Sequence, residues 1–115
     1  MNIGFIGTGK IASAVITGIF KSNIIYKQIL ISPRNKAIAE KLKKKIKKLK
    51  IAKNNQEILN SCDWIFLSIT PIVGKKIIKD LKFKSNQTII SFISTITLGE
   101  LKKAIKVKAK IVRAI

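Results

Sequence analysis

The chain has 115 residues and a mass of 12.8 kDa, which is the size of one domain, since domains usually have about 100–200 residues. Hydrophobic residues make up 47% of the chain, which argues against intrinsic disorder. One cysteine and no histidine exclude an internal disulfide framework and argue against a metal site such as zinc. There is no apolar run of about 18 residues and no signal-peptide pattern, so we expect a cytoplasmic protein.

Positive charge dominates the composition. Lys and Arg number 24 against 5 Asp and Glu, a formal net charge of +19. Such an excess favours nucleic acid or an anionic membrane as the partner. However, 22 of the cations are lysines, spread like the 25 isoleucines through every segment, and arginine, which makes most specific phosphate and base contacts, is rare. We attribute the charge to compositional bias and keep a basic nucleic-acid-binding module as an alternative function.

Apolar runs of strand length alternate with helical patterns along the chain. Strands are predicted at Asn2–Ile6, Gln28–Ser32, Lys50–Lys53, Trp64–Ile69, Thr88–Ile93 and Lys110–Ile115. Helices are predicted at 10–22, 35–48, from 54 or 55, 71–81 and 97–105. The alternation predicts an α/β fold with a parallel sheet between two helical layers. Right-handed crossovers favour a doubly wound, Rossmann-type sheet in the order 3-2-1-4-5-6.

Local signals refine three of these elements. The first helix carries two apolar stripes, which predict packing on two sides. Thr70 precedes Pro71, a residue that suits the first helical position, so it is the predicted cap of that helix. Thr97 and Glu100 have the spacing of a capping box at the start of the last helix.

The strongest motif follows the first predicted strand and opens the first predicted helix. It is a GxGxxA pattern made of Gly7, Thr8, Gly9, Lys10, Ile11 and Ala12. Gly7 permits a tight turn, Gly9 lets the backbone approach a pyrophosphate, and Ala12 lets helix and strand pack closely. The positive end of the helix then faces the phosphates, and Lys10 adds a charge. This context predicts a dinucleotide site; a glycine turn without a ligand is the alternative.

The end of the second predicted strand indicates which dinucleotide binds. An NAD-selective site has Asp or Glu there, about 20 residues after the glycines, for the ribose hydroxyls. This chain has Ser32-Pro33-Arg34-Asn35-Lys36 instead, and Arg34 and Lys36 can pair with a 2′-phosphate. Each charge-assisted hydrogen bond contributes about 1.5–3 kcal/mol. We therefore predict NADP (NADPH), with NAD as the alternative cofactor and a solvated arginine in a turn as the alternative interpretation.

The order of these motifs resembles that of pyrroline-5-carboxylate reductases. The likeness is carried by NIGFIGTGKIASAVITGI, ISPRN, the strand from Asp63 to Ser68-Ile69-Thr70-Pro71, IISFISTITLGEL and IVRAI. It covers essentially all of residues 1–115, but only the amino-terminal NAD(P)-binding domain of that family. The resemblance implies a Rossmann domain of an enzyme that transfers hydride to the C=N bond of 1-pyrroline-5-carboxylate and so forms proline.

The resemblance also implies roles for residues outside the glycine loop. Ser32, Arg34 and Asn35 match the group that meets the adenosine ribose and its phosphate, and Asn55 matches an asparagine near the adenine. The segment beside the cofactor, usually Ala-Val-Lys-Pro, is matched by Ser68, Ile69, Thr70 and Pro71. A stretch of small residues under the nicotinamide is matched by Phe92, Ile93 and Ser94.

Two departures from the family pattern leave the substrate open. Thr70 replaces the usual lysine and removes a cation beside the cofactor. Residues 93–95 place bulkier side chains where Ala-Ala-Gly is common, at the meeting point of nicotinamide and substrate. Another NADP-dependent imine, keto-acid or hydroxy-acid reductase and a cofactor-dependent sensor are therefore alternatives.

No catalytic residue is assigned, because no nucleophile lies at a credible spacing from a base. In a reductase the cofactor carries the hydride. In the family an all-helical domain follows, which dimerises and helps to form the substrate site. Since this chain ends in an apolar strand, we expect that domain to be missing, and we predict that the chain alone binds NADPH but is inactive. A homo-oligomer is expected only with the second domain.

Three further features have ordinary structural interpretations. Cys62 has no cationic neighbour in sequence and is interpreted as an inert, semi-buried thiol. Lys41–Lys50 holds seven lysines but keeps an apolar helical stripe, which indicates a docked helix with a solvated basic face. Arg113 either approaches the cofactor cleft or is a charge at a strand end.

Overall fold

The computed structural model describes residues 1–114, which form six strands and five helices in strict alternation. The strands are β1 (Asn2–Ile6), β2 (Gln28–Ile31), β3 (Leu49–Ile51), β4 (Trp64–Leu67), β5 (Thr88–Ser91) and β6 (Lys110–Arg113). The helices are α1 (Lys10–Lys21), α2 (Lys36–Lys45), α3 (Asn55–Ser61), α4 (Pro71–Ile78) and α5 (Leu98–Ile105). All strands pair in parallel in the order β3-β2-β1-β4-β5-β6, which confirms the predicted doubly wound Rossmann fold.

Side chains of each strand alternate between two hydrophobic clusters, one on each face of the sheet. Ile3 and Phe5 of β1 pack in the cluster covered by α1 and α2. Ile6 of the same strand packs in the cluster covered by α3, α4 and α5. Because both faces are buried, the strands need apolar residues at successive positions, which explains the uninterrupted isoleucine-rich runs.

Three phenylalanine rings form a row across the sheet on the side of α1 and α2. The rings of Phe5 and Phe66 stack with centroids 4.6 Å apart, and those of Phe66 and Phe92 stack at 5.7 Å. Offset aromatic pairs add about 0.5–1.5 kcal/mol beyond the burial of their area. The row links β1, β4 and the loop after β5, and so fixes Phe92 relative to the first strand.

Several predicted boundaries are wrong by a few residues. Helix α2 ends at Lys45 rather than near position 48, because Ile46 is extended (φ −118°, ψ 111°). Strand β3 begins at Leu49. Ile46 and Leu49 are buried as predicted, but Ile46 lies in the turn after α2 and Leu49 in β3, not in the helix. Helix α4 ends at Ile78, and the N–H groups of the next turn bond to carbonyls three residues back, a tightening common at helix ends. Strands β2, β4 and β5 end one or two residues early, where their loops begin. The predicted end of the last strand at Ile115 lies outside the described residues.

The two-sided packing predicted for α1 is also wrong. Only the stripe of Ala12, Ile16 and Ile19 is buried, while Ile11 is 54% exposed and Phe20 is exposed too. Among the described residues no further layer covers the outer face of this helix. The predicted caps are confirmed, since Thr70 accepts a hydrogen bond from the Val73 N–H and Thr97 and Glu100 form a full capping box.

The lysine-rich segment 41–50 has an exposed basic side and a buried apolar side. The seven lysines between positions 41 and 50 are exposed, whereas Leu42, Ile46 and Leu49 are buried. The solvated basic face is therefore confirmed, but the docked helix covers only residues 41–45 of this segment, and a turn and β3 supply the rest. Within residues 1–114, no helix has both the length and the apolar character that a membrane crossing needs.

Cys62 is buried beside Gly4 and Ile58, as expected for an inert thiol. Burial, and after it the negative charge of Asp63, raises the pKa of Cys62 to about 12. Because the thiolate is the reactive form, the thiol is protected both sterically and electrostatically.

Alkylation of Cys62 should therefore be slow in the folded chain, and its rate should still be rising with pH above the ordinary thiol pKa of 9.0. Iodoacetamide labelling followed by mass spectrometry across a pH series measures this rate. The same series in urea serves as the control, because there the profile should level off near the ordinary value. A plateau near that value in the folded chain would contradict the burial of the thiol.

Candidate functional site

A crevice opens at the carboxyl ends of β1 and β4, where neighbouring connections run to opposite sides of the sheet. Ligands of open α/β sheets bind at this switch point. Two adjoining cavities of about 300 and 360 Å³ occupy it, and the lower limit for small-molecule sites is about 300 Å³. Both are lined by Gly9, Ser68, Ile69 and Thr70. The first, which we call the loop cavity, is also lined by Gly7, Thr8, Arg34, Asn35 and Val73. The second, which we call the outer cavity, is also lined by Lys10, Ile11, Pro71, Phe92 and Ser94.

Gly7 makes the turn out of β1 and meets the turn out of β4. Its φ is +101°, a value that favours glycine. A Cβ at this position would lie 2.3 Å from the Ser68 carbonyl oxygen and 2.7 Å from Ile69 Cγ2. Both the backbone conformation and the close approach therefore require glycine here, in agreement with the tight turn expected from the motif.

Gly9 begins α1 without a side-chain cap. Nothing lies within 4 Å of the position that a Cβ would take, so the space in front of this backbone is open. The helices α3, α4 and α5 are instead capped by Asn54, Thr70 and Thr97. The first N–H groups of a helix lack partners within the helix, and at α1 they remain free for an anion, as the motif predicts. Ala12, fully buried, sits where the helix contacts the sheet.

Ser32 lies beneath the glycine loop rather than in the crevice. It is buried; its Oγ accepts a hydrogen bond from the Gly7 N–H (3.0 Å) and donates one to Asn55 Oδ1 (2.6 Å). Both predicted ligand contacts, Ser32 and Asn55, are thus engaged with each other at the start of α3. The structure gives them a supporting position under the loop, where they fix the Gly7 N–H.

Arg34 and Asn35 line the loop cavity at the start of α2. Asn35 is the N-cap of α2, has a left-handed conformation (φ 59°, ψ 69°), and makes no side-chain cap. The buried hydroxyl of Thr8 donates to the Arg34 carbonyl (2.6 Å). Of the described residues that line the two cavities, none is acidic, so the charge there is set by Lys10 and Arg34.

The segments after β4 and β5 are only partly brought to the crevice. Ser68, Ile69, Thr70 and Pro71 all line it, and so do Phe92 and Ser94. Ile93, however, is 1% exposed and packs in the core close to Gly74 and Ile96. The Ile93 side chain therefore fills the core and not the crevice. Although Ile93 is larger than the residue common in the family, the shape of the cavity here is set by Phe92 and Ser94.

Two features of the site, Val73 and Arg113, were missed or left open by the sequence. Val73 lines the loop cavity one helical turn after Thr70, a spacing that could have indicated it. Ile11 was predicted as part of the glycine motif and lines the outer cavity, whereas the helical pattern also assigned it to a packing stripe, and its side chain is exposed. Arg113 donates to the Ser94 carbonyl (2.8 Å) and so tethers the loop after β5 to β6. Arg113 therefore reaches the edge of the outer cavity from the strand end, although it is not among the residues that line this cavity.

The parallel sheet, the glycine turn at its switch point and the open helix start define a Rossmann domain of the dinucleotide-dependent oxidoreductases. Residues 2–95 match the model of a family described as NADP oxidoreductase, coenzyme F420-dependent. The chain belongs to this family. A comparison with curated proteins finds no match.

Solved structures of pyrroline-5-carboxylate reductases are similar to the chain. The enzyme from Streptococcus pyogenes shares 36% identity over 90% of this chain and 38% of its own, with a TM-score of 0.74. The Plasmodium falciparum enzyme, solved with NADP bound, shares 26% identity over 98% of this chain and 41% of its own, with a TM-score of 0.80. The Coxiella burnetii enzyme shows the same fold, with 22% identity, coverage of 99% and 43%, and a TM-score of 0.82. The chain spans about two fifths of the length of these structures.

The two loop glycines should respond differently to a methyl group. Gly7→Ala should lower the free energy of unfolding by about 1–3 kcal/mol, because the new Cβ meets the Ser68 backbone at a positive φ. Gly9→Ala should cost about 1 kcal/mol or less, the cost of a poorer N-cap residue, since its Cβ enters open space. Urea unfolding followed by circular dichroism compares the two, and equal losses would contradict the described turn.

Proposed function

We propose that the chain is the NADP-binding domain of a pyrroline-5-carboxylate reductase-like enzyme. The observation that carries the proposal is the open, uncapped start of α1 at Gly9, directly at the switch point of the sheet. The identity of 36% with the Streptococcus pyogenes enzyme supports the choice of reaction. When bound, NADPH supplies the hydride that reduces the C=N carbon of 1-pyrroline-5-carboxylate; with a proton on the nitrogen, the product is proline.

The residues of the crevice fit the parts of this cofactor. The free N–H groups at Gly9 and the start of α1 suit the pyrophosphate, with Lys10 adding charge. Arg34 and Lys36 suit a 2′-phosphate, since no acidic residue lines the loop cavity in the described part of the chain. Residues holding the cofactor would also include Asn35 and the segment 68–71.

The outer cavity suits the nicotinamide end because apolar groups dominate it. Ile11, Pro71 and Phe92 line it, and such a lining excludes water from the reacting carbon. Phe92 is held from behind by its stack on Phe66. With Thr70 in place of lysine, the neutral Thr70 hydroxyl is used as the cap of α4.

The proton donor and most of the substrate site are proposed to lie outside this chain. Lys10 is the only titratable side chain lining the outer cavity within residues 1–114, and the similar reductases are more than twice as long as the chain. We therefore propose that this chain binds NADPH but does not form proline alone, and that oligomerisation depends on the remaining part of the enzyme.

Gly9→Val should abolish most NADPH binding while the fold is retained. The branched side chain extends into the space in front of the free N–H groups, and its Cβ has no protein atom within 4 Å. Gly18→Val is the matched control, because Gly18 lies on the same helix, has equally open surroundings and is away from the crevice. Calorimetric titration with NADPH should show loss only for the Gly9 variant. Unchanged binding by Gly9→Val would overturn the proposed pyrophosphate site.

Arg34→Gln should weaken NADPH binding about tenfold to a hundredfold, the size of one charge-assisted hydrogen bond, and should barely change NADH binding. NADH lacks the 2′-phosphate that Arg34 is proposed to bind. Lys44→Gln removes the same charge near the far end of α2 and controls for general electrostatics. Parallel calorimetric titrations with NADPH and NADH give the ratio of the two dissociation constants for each variant. An equal weakening of both by Arg34→Gln would contradict the proposed role of Arg34.

A further inference from the structure

Two hydrogen bonds join the glycine loop to the loop after β2. The Gly7 N–H donates to Ser32 Oγ (3.0 Å), and Thr8 Oγ1 donates to the Arg34 carbonyl (2.6 Å). The first bond holds a residue that the sheet already fixes, since the Ser32 N–H bonds to the Phe5 carbonyl (3.2 Å). The second reaches beyond the end of the strand. Thr8 is therefore the side chain that holds the free part of this loop.

The segment that Thr8 holds carries the charged end of the loop cavity. Arg34 is exposed, and its guanidinium has no hydrogen-bond partner among residues 1–114. The next residue, Asn35, has a left-handed backbone that turns the chain into α2. Helix α2 has ten residues and no side-chain cap, so no side chain bonds the first N–H groups of this helix.

We propose that Thr8 is a positioning residue that sets the preference for a 2′-phosphorylated dinucleotide. Its hydroxyl holds the Arg34 carbonyl, and this contact keeps the Arg34 guanidinium and the free start of α2 at the crevice. The inference rests on the proposed function, because it assumes that a dinucleotide occupies the loop cavity. Thr8 acts indirectly in this proposal. Its side chain is buried and its hydroxyl already donates to the Arg34 carbonyl, so that hydroxyl does not bind a cofactor phosphate.

Loss of this hydrogen bond affects one end of the crevice more than the other. Without it, the exposed segment 33–35 is free to relax from its left-handed turn. The pyrophosphate end, by contrast, depends on Gly7, Gly9 and α1, which are fixed by the packing of Gly7 on Ser68 and by the Ser32 bond. The expected result is a loss of selectivity between NADPH and NADH rather than a loss of dinucleotide binding.

The test compares Thr8→Val with Thr8→Ser. Valine keeps the shape of the buried side chain but lacks the hydroxyl, and serine keeps the hydroxyl. Titration calorimetry with NADPH and NADH gives the ratio of their dissociation constants for each chain. Thr8→Val should lower the preference for NADPH about tenfold, the upper range for one hydrogen bond, with NADH binding retained as proof of folding. Thr8→Ser should keep the preference of the unaltered chain.

A double variant tests whether Thr8 acts through the Arg34 loop. In the Arg34→Gln background, Thr8→Val should change the ratio by a smaller factor than in the unaltered chain, since coupled residues are not additive. The same factor in both backgrounds, equal loss of both dinucleotides, or a serine variant that behaves like valine would each overturn the inference. Binding of both dinucleotides without preference by the unaltered chain would overturn it and leave the dinucleotide site standing. Absence of any binding would refute the proposed function as well.

Discussion

The close packing of Gly7 on the turn after β4 is the contact on which the crevice depends. The space between them is too small for a Cβ, which would lie 2.3 Å from the Ser68 carbonyl oxygen. This approach brings the end of β1 against the end of β4 at the one place where the sheet changes its winding direction. The Ser68 hydroxyl lies 3.2 and 3.3 Å from the Ile6 and Gly7 carbonyl oxygens and closes the same junction by donating its one proton to this pair. The direction in which α1 leaves the sheet follows from this turn.

A second junction on the other side of β1 completes the crevice. There, polar side chains take the place of close packing, through the Ser32 and Thr8 hydrogen bonds to the two loops. Buried hydroxyls and amides at this junction satisfy each other, as buried polar groups must. The N–H groups at the starts of α1 and α2 have no side-chain cap, and the Arg34 guanidinium has no hydrogen-bond partner among residues 1–114. The crevice is thus framed by two packed junctions and lined by donors that the described residues leave unpaired.

The sequence predicted the parts of this arrangement that depend on local chemistry. Gly7 and the capping box at Thr97 follow from backbone conformation and hydrogen bonding within a few residues, so both are confirmed. Burial of particular side chains was harder, because a pattern of apolar residues does not say which of them the neighbouring elements cover. Ile11 and Ile93 are the same residue type beside the same crevice, yet one is 54% exposed and the other 1%. The Thr8 contact with the Arg34 carbonyl joins residues that are distant in sequence, and no spacing rule indicates it.

The charge of the chain and the charge of the site have different consequences. The lysines that give the net charge of +19 are distributed through every segment, and their field attracts any anion. At physiological ionic strength that attraction is screened over about 8 Å, so lysines farther than this from the site contribute little to the difference between two ligands that differ by one phosphate. The proposed discrimination between NADP and NAD depends on groups within hydrogen-bonding reach of that phosphate. Arg34 is charged and lines the loop cavity, and the hydroxyl of Thr8, which carries no charge, donates to its carbonyl.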